Sequence, residues 1–411
     1  MDFQLRRESK YYVDMMRKYI KILTLNAIKN ICKLDKSSMD TSVQRILVVR
    51  LDEIGDMVLM SPFLRELRRN YPEAEITLVV KTAVYNLVEL CPYVNHIKIF
   101  KRPAPGRGMF FRLIWAARKF VHEELNGSYD LALVPRFDAD AGYGAGFIAL
   151  FSKAIRRVGY TSSATNLKFE SDAGYDALYT ELVPIKPGIE HEVERDLDVL
   201  RYLGRGIEYN HIELWTNKQD KIVATNLFQG RYGAQLRLVV LLSAGGRRKE
   251  WDVKKFIEVV KRLKEVFALE IVLLGAGEPA DTYGEIFQKE ISGSVNLINQ
   301  CTLRETYEIM KQCQFVLGND TGPMHMAAAA GLRGVALYLG KTEWAEDGLD
   351  TPERFGPWQS NLTIIQPDKV LSGCEHGCRE TYAHCINQIR VDDVVKHMES
   401  IVRKYIMEEN Q

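Results

Sequence analysis

The feature that most constrains this chain is an alternation of short apolar runs with helical stretches, which begins at Arg45, lapses, and then starts again. Ile46-Leu47-Val48-Val49 opens the series, and residues 55–70 carry helical periodicity. Residues 76–80, 96–100, 131–134 and 157–160 predict further strands, with helices over 84–90 and 110–125. A helix over 190–203 ends at Gly204, and a polar, strand-poor stretch runs to about Gln235. Leu238-Val239-Val240-Leu241-Leu242 restarts the pattern. Strands at 270–274, 295–298, 315–317 and 334–338 then alternate with helices near 253–267, 279–291, 303–312 and 322–330. Strands that are apolar throughout are covered on both faces, and helices between them make the sheet parallel. The expectation is an α/β protein with two Rossmann-like, doubly wound parallel-sheet domains, binding ligands beyond the carboxyl ends of its strands.

The pattern divides the chain into a basic helical extension (1–40), a first domain (41–205), a linker (206–235), a second domain (236–390) and a closing helix (391–411). In the extension, Val13, Met16, Ile20, Leu23, Ala27 and Ile31 recur at helical spacing, and Ile22, Leu25 and Ile28 widen the stripe. Within residues 1–38, nine Lys/Arg stand against four Asp/Glu. Such a helix can lie on an anionic membrane surface or pack on the protein body; the sequence leaves both open. A net charge of +1 argues against a nucleic-acid partner. Seven cysteines in 411 residues are too few for a disulfide framework, and the odd count suits a reducing compartment. No apolar run is long enough to span a bilayer, and the N-terminal residues show no compact apolar segment with a small-residue cleavage site, so export is not expected. The expected location is the cytoplasm, including the inner face of its membrane.

Chemistry concentrates where strands end. After residues 315–317 comes Asn319-Asp320-Thr321-Gly322-Pro323-Met324-His325. Pro323 falls in a first helical turn, where the backbone N–H groups and the positive end of the helix dipole suit a diphosphate. Gly322 allows close approach to the backbone, while Asp320 suits sugar hydroxyls. The duller alternative is that Asn319, Asp320 or Thr321 merely caps the helix. A second turn, Ser243-Ala244-Gly245-Gly246-Arg247-Arg248-Lys249-Glu250-Trp251, offers small residues and three cations, or else a solvated basic loop. A third, Gly275-Ala276-Gly277-Glu278-Pro279-Ala280, nominally satisfies a dinucleotide fingerprint, but it comes late in the chain and has no clear acidic partner at the end of the following strand, which argues against a dehydrogenase. Glu278 could itself accept ribose hydroxyls. In the first domain, Asp56 follows Gly55 in a first helical turn and is the candidate general base.

Together these segments resemble glycosyltransferase family 9, the ADP-heptose:lipopolysaccharide heptosyltransferases. The stretches that carry the resemblance are VVRLDEIGDMVL, HEVERDLDVLRYLG, SAGGRRKEW, LLGAGEPAD and GNDTGPMHMAAAAG, in order across residues 43–405. It implies a GT-B fold with the site between the two domains, and inverting, metal-independent transfer from ADP-heptose, with no cofactor, to a glycan or lipid-linked acceptor. It assigns Asp56 as the base. Ser243, Gly245, Gly246, Lys249, Glu278, Asp320, Thr321, Gly322 and His325 fall to the donor, though His325 could equally serve the core. Alternatives are another nucleotide sugar or a protein acceptor, a nucleotide-sugar epimerase or hydrolase, and a non-catalytic sugar-binding subunit. The basic extension departs from the resemblance, as does Cys374-Glu-His376-Gly-Cys378…His384-Cys385. Thiolates and imidazoles can hold zinc or iron, but C-x3-C-x6-C is no standard finger, and packed cysteines are the simpler expectation.

Overall fold

The computed structural model describes residues 19–28, 43–228, 236–340, 351–374 and 380–410. Two six-stranded sheets carry the chain. The first is built from β1 (Arg45–Val49), β2 (Glu75–Val80), β3 (His96–Ile99), β4 (Leu131–Val134), β5 (Arg156–Tyr160) and β6 (Glu181–Val183). The second comprises β7 (Leu236–Leu241), β8 (Leu269–Leu273), β9 (Val295–Asn296), β10 (Phe315–Asn319), β11 (Arg333–Leu337) and β12 (Asn361–Ile365). All pairings are parallel, and the order is β3-β2-β1-β4-β5-β6 in one sheet and β12-β11-β10-β7-β8-β9 in the other. The two orders are the same, so each sheet reverses its winding once, between β1 and β4 and between β7 and β10. A crevice opens at the carboxyl end of each such reversal.

The central strands are fully buried, as their apolar runs require. One apolar cluster continues from the first sheet (Ile46, Val48, Leu133) through the domain contact into the second (Val239, Val316, Met324). Two further clusters close the outer layers of each domain. The closing helix, Val391–Glu409, packs on helix Val253–Val266 of the second domain.

Several expectations need correction. Residues 55–70 are not one helix but two, Ile54–Leu59 and Ser61–Asn70. Pro62 has no N–H for the Val58 carbonyl, and the Ser61 hydroxyl donates to that carbonyl instead, at 2.7 Å. The stretch read as a linker contains helix Lys218–Leu227, capped by Asn217 and packed on helix Leu303–Met310. Residues 229–235 lie outside the described residues. Edge strands β6 and β12 are half-exposed and lack the apolar run that marks the others.

Residues 19–28 of the extension are helical and lie on the first domain. Leu25 is buried there, with Ile28 packed alongside. The Lys21 ammonium donates to the Ser171 carbonyl and stands 4.4 Å from the Tyr175 ring centre. The residues that only widened the stripe are thus the ones that pack, whereas Ile20, Leu23 and Ala27 of the main stripe face outward. Val13, Met16 and Ile31 lie outside the described residues. No described helix is long and apolar enough to cross a membrane.

Candidate active site

The two crevices face each other and enclose one cavity of about 600 Å³. Every segment that lines the switch points contributes: Asp52 to Asp56 after β1, Arg136 and Asp138 after β4, Gly245 to Lys249 after β7, and Asp320 to His325 after β10. The sheet order therefore brings together residues that are far apart in the chain.

On the second-domain side, helix Gly322–Ala329 begins at Thr321, whose side chain makes no capping hydrogen bond. Asn319 is occupied elsewhere: its Oδ1 accepts from the Trp251 N–H at 2.9 Å, and its Nδ2 donates to the Leu242 carbonyl at 2.8 Å. Asp320 binds the Lys249 ammonium at 2.7 Å. None of the three caps the helix, so its first turn is left to the cavity. Asp320, expected to accept sugar hydroxyls, holds Lys249 in place with one carboxylate oxygen and lines the cavity. Nor is the basic turn a solvated loop. The buried Glu250 carboxylate accepts from the Ala244 N–H at 3.2 Å and the Tyr283 hydroxyl at 2.9 Å, folding the 3-10 turn Arg247–Lys249 over the cavity. A Cβ on Gly245 or Gly246 would meet nothing within 4 Å, so their backbone is open to a ligand.

Gly322 has a role that sequence reading missed. A Cβ there would stand 2.7 Å from Ile54 Cβ and 3.2 Å from the Gly55 N. One on Gly55 would stand 2.8 Å from His325 Cδ2. The two helix starts approach backbone to backbone across the domain boundary, and only glycine fits on either side. His325 is buried in that contact and also lines the cavity; burial holds its pKa down at about 4, so its ring is neutral. Ser243 is half-buried and Glu278 exposed at the start of helix Glu278–Glu290; neither lines the cavity.

On the first-domain side, the Asp56 carboxylate accepts from the Glu53 N–H at 3.0 Å and faces the cavity. Burial pushes its pKa up, with Glu192 and Asp138 adding to the rise and Arg50 opposing it. Behind it lies a charge network that local sequence did not reveal. The buried Arg50 guanidinium contacts Asp52 at 2.7 Å and Asp196 at 2.7 Å, and Arg136 pairs with Asp52. Arg354, from the short helix Pro352–Phe355 of the second domain, reaches across to Glu192 at 2.6 Å and Asp138 at 2.8 Å. Arg195 adds 2.9 Å to Glu192. Five carboxylates (Asp52, Asp56, Asp138, Glu192, Asp196) thus share four guanidiniums. Carboxylates crowded together away from water repel one another's charge, which raises the pKa of those least well paired. Asp196 rises to about 8 through burial, while Glu192, beside Arg354, Arg195 and Arg50, is held down at about 2. His191 caps helix Glu192–Tyr202 and ties the domains: its Nδ1 accepts from the Val193 N–H at 3.2 Å and its Nε2 meets the Gly356 carbonyl at 2.9 Å.

Comparison with known proteins adds a lineage to this geometry. The sequence signature of glycosyltransferase family 9 (heptosyltransferase) matches residues 122–382. Lipooligosaccharide heptosyltransferase 2 of Campylobacter jejuni is 25% identical over 164 residues, 38% of this chain; the match spans about half, 48%, of that relative. A Haemophilus influenzae protein is 32% identical over 385 residues, covering 88% of this chain and 97% of that one. Among solved structures, ADP-heptose lipopolysaccharide heptosyltransferase II of Escherichia coli superposes with a TM-score of 0.64 at 19% identity, over 88% of this chain and 99% of that one.

Proposed function

The chain belongs to glycosyltransferase family 9, the heptosyltransferases, and on that premise we propose that it transfers a heptosyl unit from ADP-heptose to a hydroxyl of a lipopolysaccharide or related cell-surface glycan. One observation carries the reading: a carboxylate with a raised pKa and an uncapped helix start beside a lysine line the same cavity from opposite domains. Asp56 takes the proton of the acceptor hydroxyl as its oxygen attacks the anomeric carbon. The bond from that carbon to the diphosphate breaks, and ADP leaves with the electron pair. Attack from one domain and departure toward the other place the new bond opposite the old one, which inverts the anomeric centre. Lys249, held by Asp320, the amides of Gly245 and Gly246 and the first turn at Gly322 stabilise the charge on the departing diphosphate. A carboxylate whose pKa sits above the usual range is the better proton acceptor near neutrality. No cofactor takes part in this reading. Glu278, exposed beside the donor domain's strand ends, is assigned to the ribose.

The outward stripe of Ile20, Leu23 and Ala27, within a segment rich in Lys and Arg, is assigned to the anionic inner face of the cytoplasmic membrane, where a lipid-linked acceptor is held. The test is to offer the purified chain ADP-heptose and other nucleotide sugars, with and without truncated lipopolysaccharide. Sugar transfer that needs both substrates is the expected result. ADP release at the same rate without an acceptor would make the chain a hydrolase, and transfer of a different sugar would replace the donor.

A further inference from the structure

Outside the cleft, one cluster of side chains is used by no part of the transfer chemistry. Cys374, His384 and Cys385 converge between β12 and helix Val391–Glu409, with their three ligand atoms within 4.8 Å of one another. Both thiols are buried, at 4% and 1% exposure, in the apolar cluster that also contains Ile386 and Ile389. The other described cysteines, Cys91, Cys301 and Cys313, belong to no such group among the described residues, and burial pushes their thiols up to about 12, 11 and 12.

We propose that Cys374, His384 and Cys385 form a binding site for a thiolate-preferring divalent transition ion, zinc or iron(II). The geometry carries this. With metal–sulfur and metal–nitrogen bonds of about 2.3 and 2.0–2.1 Å, the sulfur–nitrogen edge of a tetrahedral site is roughly 3.6 Å. Cys374 Sγ and His384 Nε2 are 3.6 Å apart. The backbone shapes the rest: Gly373, at φ 91°, turns the chain into Cys374, and the Leu371 N–H points at Cys385 Sγ at 3.4 Å, as an amide does toward a ligating sulfur. Three protein ligands leave one tetrahedral position for water or a further donor. Cys378 lies outside the described residues, and the site is argued without it.

The ion would fasten a loop that supports the donor side. Trp251 Nε1 and the Lys255 ammonium donate to the Ile389 carbonyl, both at 3.2 Å, and the Asp252 N–H donates to Asn387 Oδ1 at 3.0 Å. These residues directly follow Lys249.

The test uses the full chain, purified reduced and without chelator. Elemental analysis should find close to one zinc or iron per chain and identifies which. Protein stripped by chelator and titrated with cobalt(II) should develop a thiolate-to-cobalt charge-transfer band, which zinc then displaces. Cys385→Ser and His384→Ala should weaken cobalt binding by more than about 10-fold, His384→Cys should restore the band, and Cys301→Ser should leave it intact. The restored variant separates ligand loss from misfolding. The proposal fails if the reduced wild-type chain neither carries metal nor gives the band, if the band survives His384→Ala, or if a Cys374–Cys385 disulfide accounts for both thiols. None of these readouts requires heptosyl transfer, so the failure of either reading is seen separately.

Discussion

The two sheets have the same strand order and opposite endowments. At the carboxyl edge of the first, charges crowd together: Asp52, Asp56, Asp138, Glu192 and Asp196 around Arg50, Arg136, Arg195 and Arg354. At the edge of the second stand glycines, open backbone and the Lys249–Asp320 ion pair. The topology fixes where a ligand can sit, since both edges open at a switch point. What it can do there depends on loading. A group that accepts a proton gains from surplus negative charge, which raises its pKa; a diphosphate gains from exposed amides and a cation. On the proposed reading, the difference between the domains is a division of chemical labour laid over one repeated scaffold.

That contrast can be broken from either side. Asp56→Asn should lower transfer by about 10²–10⁴-fold, while calorimetry shows ADP binding unchanged; equal loss of both would place Asp56 on the donor. Lys249→Ala should cost about 10²–10³-fold in kcat and weaken ADP as well. Asp320→Asn should do part of the same by freeing the lysine. Gly322→Ala, which drives a methyl into Ile54, should destabilise the chain by about 1–3 kcal/mol in urea melts, and the solvent-facing Gly245→Ala should not. Leu23→Glu should reduce sedimentation with anionic vesicles without changing turnover on a soluble acceptor; unchanged sedimentation would leave the extension a purely packed helix.

The smallest effects lie in pH. Asp56 must be ionised to act, and its pKa is raised, so the acid limb of kcat/KM should fall above the ordinary aspartate value of about 3.9. Asp196 rises from 3.8 to about 8 on folding. The folded chain binds more protons across that window, so stability should decline as pH climbs from about 4 to about 8. Asp196→Asn should flatten the slope in urea melts across that range; an unchanged slope would remove Asp196 from the account.

Much of this was legible in the sequence, for a specific reason. The central strands announce themselves because burial on both faces makes them apolar throughout, and the turns that follow them are short. The second-domain lining of the cavity was legible too, since Gly245, Lys249 and Gly322 are informative within their own segments. The first-domain network was not: Arg50 meets Asp196, and Glu192 meets Arg354, only after folding. Local patterns contain no trace of such pairs. β6 and β12 escaped because edge strands need no apolar run, and helix Lys218–Leu227 because a polar sequence with a strong cap resembles a linker. The capping alternative for Asn319, Asp320 and Thr321 fell only when their partners were seen.

The bare contact between Gly55 and Gly322 bears on how such chains can be recombined. Gly55 faces the His325 ring and Gly322 faces Ile54 of the other domain, so the two positions are a matched pair, each leaving room for what its partner domain places there. A chimera joining this first domain to the second domain of another family member should keep its cleft only where both helix starts are glycine. A beneficial larger residue on one side would have to wait for a compensating change on the other. The halves therefore share an inheritance, and drift at either position is answerable to the other domain.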